Sequence, residues 1–213
     1  MVNLPEVLGA LLSDGLSAVG FPGASTAGEA VKGYLHRRSD QARAILFDEI
    51  KRAGVTPERA ATQDEDVAVI YRYLRASWEG SARINLRLLA KAIAGKLRSS
   101  TLVADEFFIY ADALASLSRD EIILIASMYD AYKATGGAVR PNDEPSPWLE
   151  RVKEFEAKGW TKTKTTATAG RCLRSGFVIA NSAWGGLVFE ISSMLIDLCK
   201  TVDFTDALHS EGV

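Results

Sequence analysis

From Leu117 to about Val202 the chain reads helix, helix, helix, short strand, turn, short strand, helix, and this stretch limits the possible folds more than any other. The two strand patterns are Phe177-Val178-Ile179 and Leu187-Val188-Phe189-Glu190-Ile191, separated by the turn Asn181 to Gly186. They are short apolar runs rich in β-branched and aromatic residues, bounded by glycine, asparagine and serine. Everything upstream of them carries helical periodicity. A single late hairpin cannot build a β-sandwich or a parallel sheet, so the expected class is mainly α.

The upstream helices follow from apolar spacing. Leu4, Val7, Leu8, Leu11, Leu12, Leu16 and Val19 recur at three- and four-residue steps and end at Gly20, Pro22 and Gly23. Thr26 and Glu29 have the spacing of a capping box, and behind them Val31, Tyr34, Leu35, Ile45, Leu46 and Ile50 form an apolar face as far as Gly54. Thr62 and Glu65 repeat the box. Val67, Ile70, Tyr71, Leu74, Trp78, Leu89, Ile93 and Leu97 then trace one long stripe that Gly80-Ser81 kinks or splits. A further helix carries Phe107, Phe108, Tyr110 and Leu114. These elements predict an N-terminal helical bundle over residues 1–116.

Ser118 and Glu121 form a third capping box, opening a helix with Ile122, Ile123, Ile125 and Met128. A loop from Thr135 to Pro145 follows, then a helix starting at Ser146-Pro147, with proline where a missing N–H costs nothing. The stretch from Thr161 to Ser175 is threonine-rich and a poor helix former, yet Ala167, Ala169, Cys172 and Leu173 give it a small apolar face. Gly176 ends it, the hairpin follows, and Ser192 caps a last helix. Three helices closed by a hairpin are the order of a winged helix-turn-helix. Residues 117–204 are therefore expected to form a winged-helix-like module, and residues 205–213 a flexible tail.

Composition removes several function classes. The 213 residues are 47% hydrophobic and 24% charged, as in an ordinary globular protein. A net charge of −2 supplies no global attraction to nucleic acid, so any such binding must come from a local patch. Two cysteines, Cys172 and Cys199, each in an apolar stretch, make no disulfide framework and read as reduced core thiols. The N-terminus lacks the basic region and cleavage site of a secretory signal, and Glu6 and Asp14 argue against a membrane span. The expected location is the cytoplasm. No CxxC, HxxxH, nucleophile elbow or phosphate-cradling glycine loop occurs, so no enzyme, cofactor or metal site is expected.

Two basic groups are candidate binding residues. Between Trp160 and Gly176 the charged residues are Lys162, Lys164, Arg171 and Arg174, with no acid among them, and such a helix suits phosphates. Threonine hydroxyls would add contacts, whereas the turn Asn181 to Gly186 offers no cation to a groove. The second group is Arg75, Arg83, Arg87 and Lys91, which with Glu79 step by four residues along the long helix. It reads either as a row for an acidic partner or phosphate backbone, or as a solvated face in which Glu79 bridges Arg75 and Arg83. His36-Arg37-Arg38 reads as exposed helix surface. The acidic clusters Asp64-Glu65-Asp66 and Asn142-Asp143-Glu144 read as structural.

Three segments resemble the abortive-infection alpha family of bacterial proteins. They are Tyr34-Leu35-His36-Arg37-Arg38, the helix start Leu117-Ser118-Arg119-Asp120-Glu121, and Leu173 to Val178. The resemblance implies a bacterial or phage context tied to phage defence, and brings no catalytic residue. The expected function is non-enzymatic binding of a macromolecule, nucleic acid being one candidate partner. The alternative is a protein-interaction or oligomerisation module that binds an acidic protein or a second copy of itself.

Overall fold

The computed structural model describes Glu6, Gly9, Ala10 and residues 26–56, 64–99, 104–136, 147–183 and 186–212. The expected first helix apart from Glu6, Gly9 and Ala10, the Thr26 and Thr62 sides of two capping boxes, the loop from residue 137 to Pro145 and the cluster Asn142-Asp143-Glu144 within it lie outside the described side chains. Among the described residues the protein is mainly helical, with one antiparallel two-stranded hairpin. It divides into two compact units, Met1–Ser116 and Leu117–Val213.

In the first unit, α1 spans Thr26–Arg52, α2 Asp64–Trp78, α3 Arg83–Ser99 and α4 Ala104–Ser116. The long stripe expected to run to Arg98 is thus two helices. Gly80 sits at φ 92 and closes α2, its N–H reaching Ser77 O while the Ser81 N–H reaches Ala76 O. That pair of bonds satisfies the last carbonyls of a helix and needs a left-handed residue, which glycine adopts without a Cβ penalty. Arg38 adds to this end, donating through Nε to Ser77 O at 3.0 Å and through its terminal nitrogen to Ser81 O. It therefore serves as a positive cap on α2 instead of open surface.

α3 packs on α1, α2 and α4 and is the centre of this unit. Every residue from Ile84 to Ala90 is buried, so the helix has no solvated face there. Its polar members survive burial because each has partners. Asn85 Nδ2 donates to Leu114 O at 2.6 Å, and Arg87 meets carboxylates of α1. On the neighbouring helix Tyr73 is fully buried and donates its hydroxyl to Ala42 O at 2.7 Å; burial pushes its pKa upward.

In the second unit, α5 spans Arg119–Ala134, α6 Pro147–Ala157 and α7 Lys162–Cys172, with a 3-10 turn Leu173–Ser175. The hairpin strands are β1, Val178–Ala183, and β2, Gly186–Ile191, followed by α8, Ser193–Leu198, and α9, Phe204–Ser210. The Ser118–Glu121 capping box is present, Ser118 N donating to Glu121 Oε2 at 2.7 Å. The strands pair in register from Val178 with Ile191 to Ala183 with Gly186. They run longer than the apolar patches because backbone pairing continues through Asn181 and Ser182. α6 and α7 pack on each other, α7 on α5, and both α5 and α6 on β2, where Trp148 meets Phe189 at 4.9 Å.

The expected tail from residue 205 is corrected. Asp203 caps α9 by accepting the Asp206 N–H, and Phe204, Ala207 and Leu208 are buried as the helix packs on α5. Thr205 donates to Asp130 of α5 at 2.8 Å. A one-turn apolar spacing among polar neighbours is too short to read as a helix without the surface it covers.

Candidate functional site

The basic row Arg75, Arg83, Arg87, Lys91 does not form one surface. The break at Gly80 leaves Arg75 on α2 and shifts the helical phase of the other three, which lie on α3. Arg75 is exposed and holds Glu79 at 2.7 Å, and Arg83 is exposed at the start of α3. Arg87 and Lys91 turn inward. Arg87 reaches Asp48 at 2.9 Å and Glu49 at 2.5 Å, and Lys91 reaches the other oxygen of Glu49 at 3.0 Å. Glu49 is buried and so needs both cations, since a buried unpaired carboxylate is costly. The Arg87 hydrogen bond holds Asp48 below its ordinary pKa, and the charge of Arg52 adds to this. The expectation of Arg87 and Lys91 as partner-binding residues is therefore corrected to a structural ion cluster.

In the second unit the four cations of α7 and its 3-10 turn divide into two pairs. Arg174 forms a two-point contact with Glu121, one nitrogen on Oε1 and the other on Oε2 at 3.2 Å. Lys164 reaches Asp120 at 3.0 Å and lies 3.9 Å over the Trp160 ring. Both acids belong to the first turn of α5, where the helix dipole already favours negative charge. Burial works to raise the pKa of Glu121, but Arg174 and the Ser118 hydroxyl and N–H hold it below its ordinary value. These two cations lock α7 against α5.

Lys162 and Arg171 face outward. Both are exposed, and Arg171 donates to its neighbour Thr168 Oγ1 at 3.3 Å. The threonines divide in the same way. Thr165 and Thr168 are fully buried, and Thr165 donates back to Thr161 O at 3.2 Å, while Thr163 is exposed. Thr161 caps α7 by accepting the Lys164 N–H. The open side of α7 thus presents Lys162, Thr163, Ala167, Gly170 and Arg171. Asp120 and Glu121, read from sequence only as a helix start, are the residues that position this surface.

Other chemistry is sparse among the described residues. Burial pushes the thiols of Cys172 and Cys199 up to about 12, and both are free. No group of three or more histidine, cysteine, aspartate and glutamate side chains is placed to hold a metal ion there, and no helix there is long and apolar enough to cross a membrane. Compared with protein-family models, curated proteins and solved structures, the chain matches none.

Proposed function

We propose that this is a non-enzymatic macromolecule-binding protein whose second unit is a winged-helix-like module presenting α7 to a nucleic-acid backbone. The observation that carries this reading is the division of cations on α7. Two are spent holding the helix on α5, and two, Lys162 and Arg171, project from its open side beside Thr163 with no acid from Trp160 to Gly176. The α6–turn–α7 pair followed by a hairpin supports the same reading, because the second helix of such a pair is the one that meets DNA in known examples. The likeness of Leu117 to Glu121 and Leu173 to Val178 to the abortive-infection alpha family agrees with a role in phage–host conflict.

The test is fluorescence anisotropy of a labelled duplex at low and high salt. Two phosphate contacts give a slope of log affinity on log salt of about −2. Lys162→Ala and Arg171→Ala should each reduce that slope by about 1. No binding at low salt rejects the nucleic-acid reading.

One observation favours a protein partner as the second reading. Leu173, Ile179 and Leu187 are 39%, 44% and 54% exposed on the 3-10 turn and hairpin. On that reading the duplex is not retained at low salt, and charge removal on α7 changes nothing.

A further inference from the structure

Acids of α5 hold both Lys164 and Arg174, but the two contacts differ in kind. The Glu121 side chain is 1% exposed, so Arg174 leaves it only by stranding a buried charge. The Lys164–Asp120 pair, at 3.0 Å, is open to water, with side chains 45% and 37% exposed. An ion pair of that kind is weak and changes partner easily. Arg174 is fixed, whereas Lys164 is only detained.

Its place on the helix gives Lys164 somewhere else to go. Lys164 and Arg171 are seven residues apart, nearly two whole turns, so they lie along one line of α7. Ala167, the exposed residue between them on that line, puts only a methyl group in the way. At 1.5 Å per residue the two cations stand about 10 Å apart along the axis, too far to share one phosphate. The Lys164 ammonium lies 3.9 Å over the Trp160 ring, which steadies it without neutralising it. Asp120 does neutralise it. α7 keeps its seat when Lys164 swings away, because Arg174 stays on Glu121 and Thr165, Thr168, Ala169 and Cys172 are buried beneath the helix.

We propose, resting on the nucleic-acid reading above, that Asp120 regulates this surface as an inhibitory carboxylate that withholds Lys164 from the phosphate backbone. A lysine already neutralised has no counterion to release, so it adds nothing to the salt dependence of binding. The carboxylate beside it also repels a phosphate brought to the same line. Removing the charge of Asp120 turns a surface of two phosphate contacts, Lys162 and Arg171, into one of three.

The experiment compares full-length wild type with Asp120→Asn by anisotropy of the labelled duplex, from about 50 to 200 mM salt. Asp120→Asn should bind more tightly and steepen the slope of log affinity on log salt from about −2 to about −3. Its gain in affinity should accordingly shrink about threefold across that range. Asp120→Asn combined with Lys164→Ala should return the slope to the wild-type value, because the added contact is Lys164 itself. Urea unfolding checks that Asp120→Asn keeps its fold, and Asp120→Gln, with the same loss of charge, replaces it should it not. A steeper slope that survives in the double variant overturns the inference, since it then reports net charge alone. So does an unchanged slope in Asp120→Asn when the wild type binds, an outcome that leaves the nucleic-acid reading standing. A duplex retained by neither protein at low salt removes both.

Discussion

The guanidinium of Arg174 closes on the carboxylate of Glu121, a residue 53 positions earlier that is itself buried. It joins the end of α7 to the start of α5 by two parallel contacts, the geometry at which arginine excels. Arg174→Gln should therefore destabilise the second unit by about 2–3 kcal/mol, since it strips a buried carboxylate of its charged donor. Urea unfolding measures it. Glu121→Gln with Arg174→Gln together should cost less than the sum of the two single changes. A loss under about 0.5 kcal/mol for Arg174→Gln would mean that the pair is held only loosely.

The same pair sets a pH dependence. Glu121 has its pKa lowered on folding, so its pairing adds stability above the ordinary value of 4.5, and that share is lost as pH falls through the lower folded value. The penalty of Arg174→Gln should accordingly be greatest at neutral pH and shrink in acid. Unfolding curves of both proteins across that range test it, and a penalty independent of pH would refute it.

Arg87 and Arg75 allow a direct comparison within the row expected from sequence. Arg87→Met takes the nearest cation from buried Glu49, leaving it Lys91 at 3.0 Å and Arg52 at 3.7 Å, and should cost about 3–5 kcal/mol. Arg75→Ala removes an exposed pair with Glu79 and should change stability by less than about 0.5 kcal/mol. Equal effects in denaturant titration would remove the distinction between the inward and outward members.

Gly80→Ala tests the turn between α2 and α3. A Cβ there meets Tyr34 Oη at 3.7 Å, an ordinary contact, so the cost comes from the φ of 92 alone. That cost is about 1–2 kcal/mol, visible as a melting temperature lowered by several degrees.

Phe204→Ala tests whether α9 is part of the core. The ring is 2% exposed and meets Phe177 edge-on at 6.4 Å. Its removal should cost about 3–5 kcal/mol, measured by thermal or urea unfolding. A mobile tail would tolerate the change.

The local devices were legible in the sequence. The Ser118–Glu121 box, the break at Gly80, the serine cap before α8 and the hairpin each depend on residues a few positions apart, where spacing carries the physics. The candidate site was half legible. That Lys162 and Arg171 project while Lys164 and Arg174 are held could not be read, because Asp120 and Glu121 lie more than 40 residues away in sequence. Helical periodicity aligned Arg87 and Lys91, but it has no means to say which side of α3 is solvated. α3 is buried all round from Ile84 to Ala90, and the carboxylates of α1 determine where Arg87 and Lys91 point.

α9, the last described helix, rests on α5, the first helix of its unit, with Thr205 and Asp130 joined across 75 residues. A nascent chain emerging from the ribosome must wait for almost the whole unit before α5 acquires all its neighbours. Until then the apolar side of α5 stays open to chaperones, and the unit folds late and as a whole.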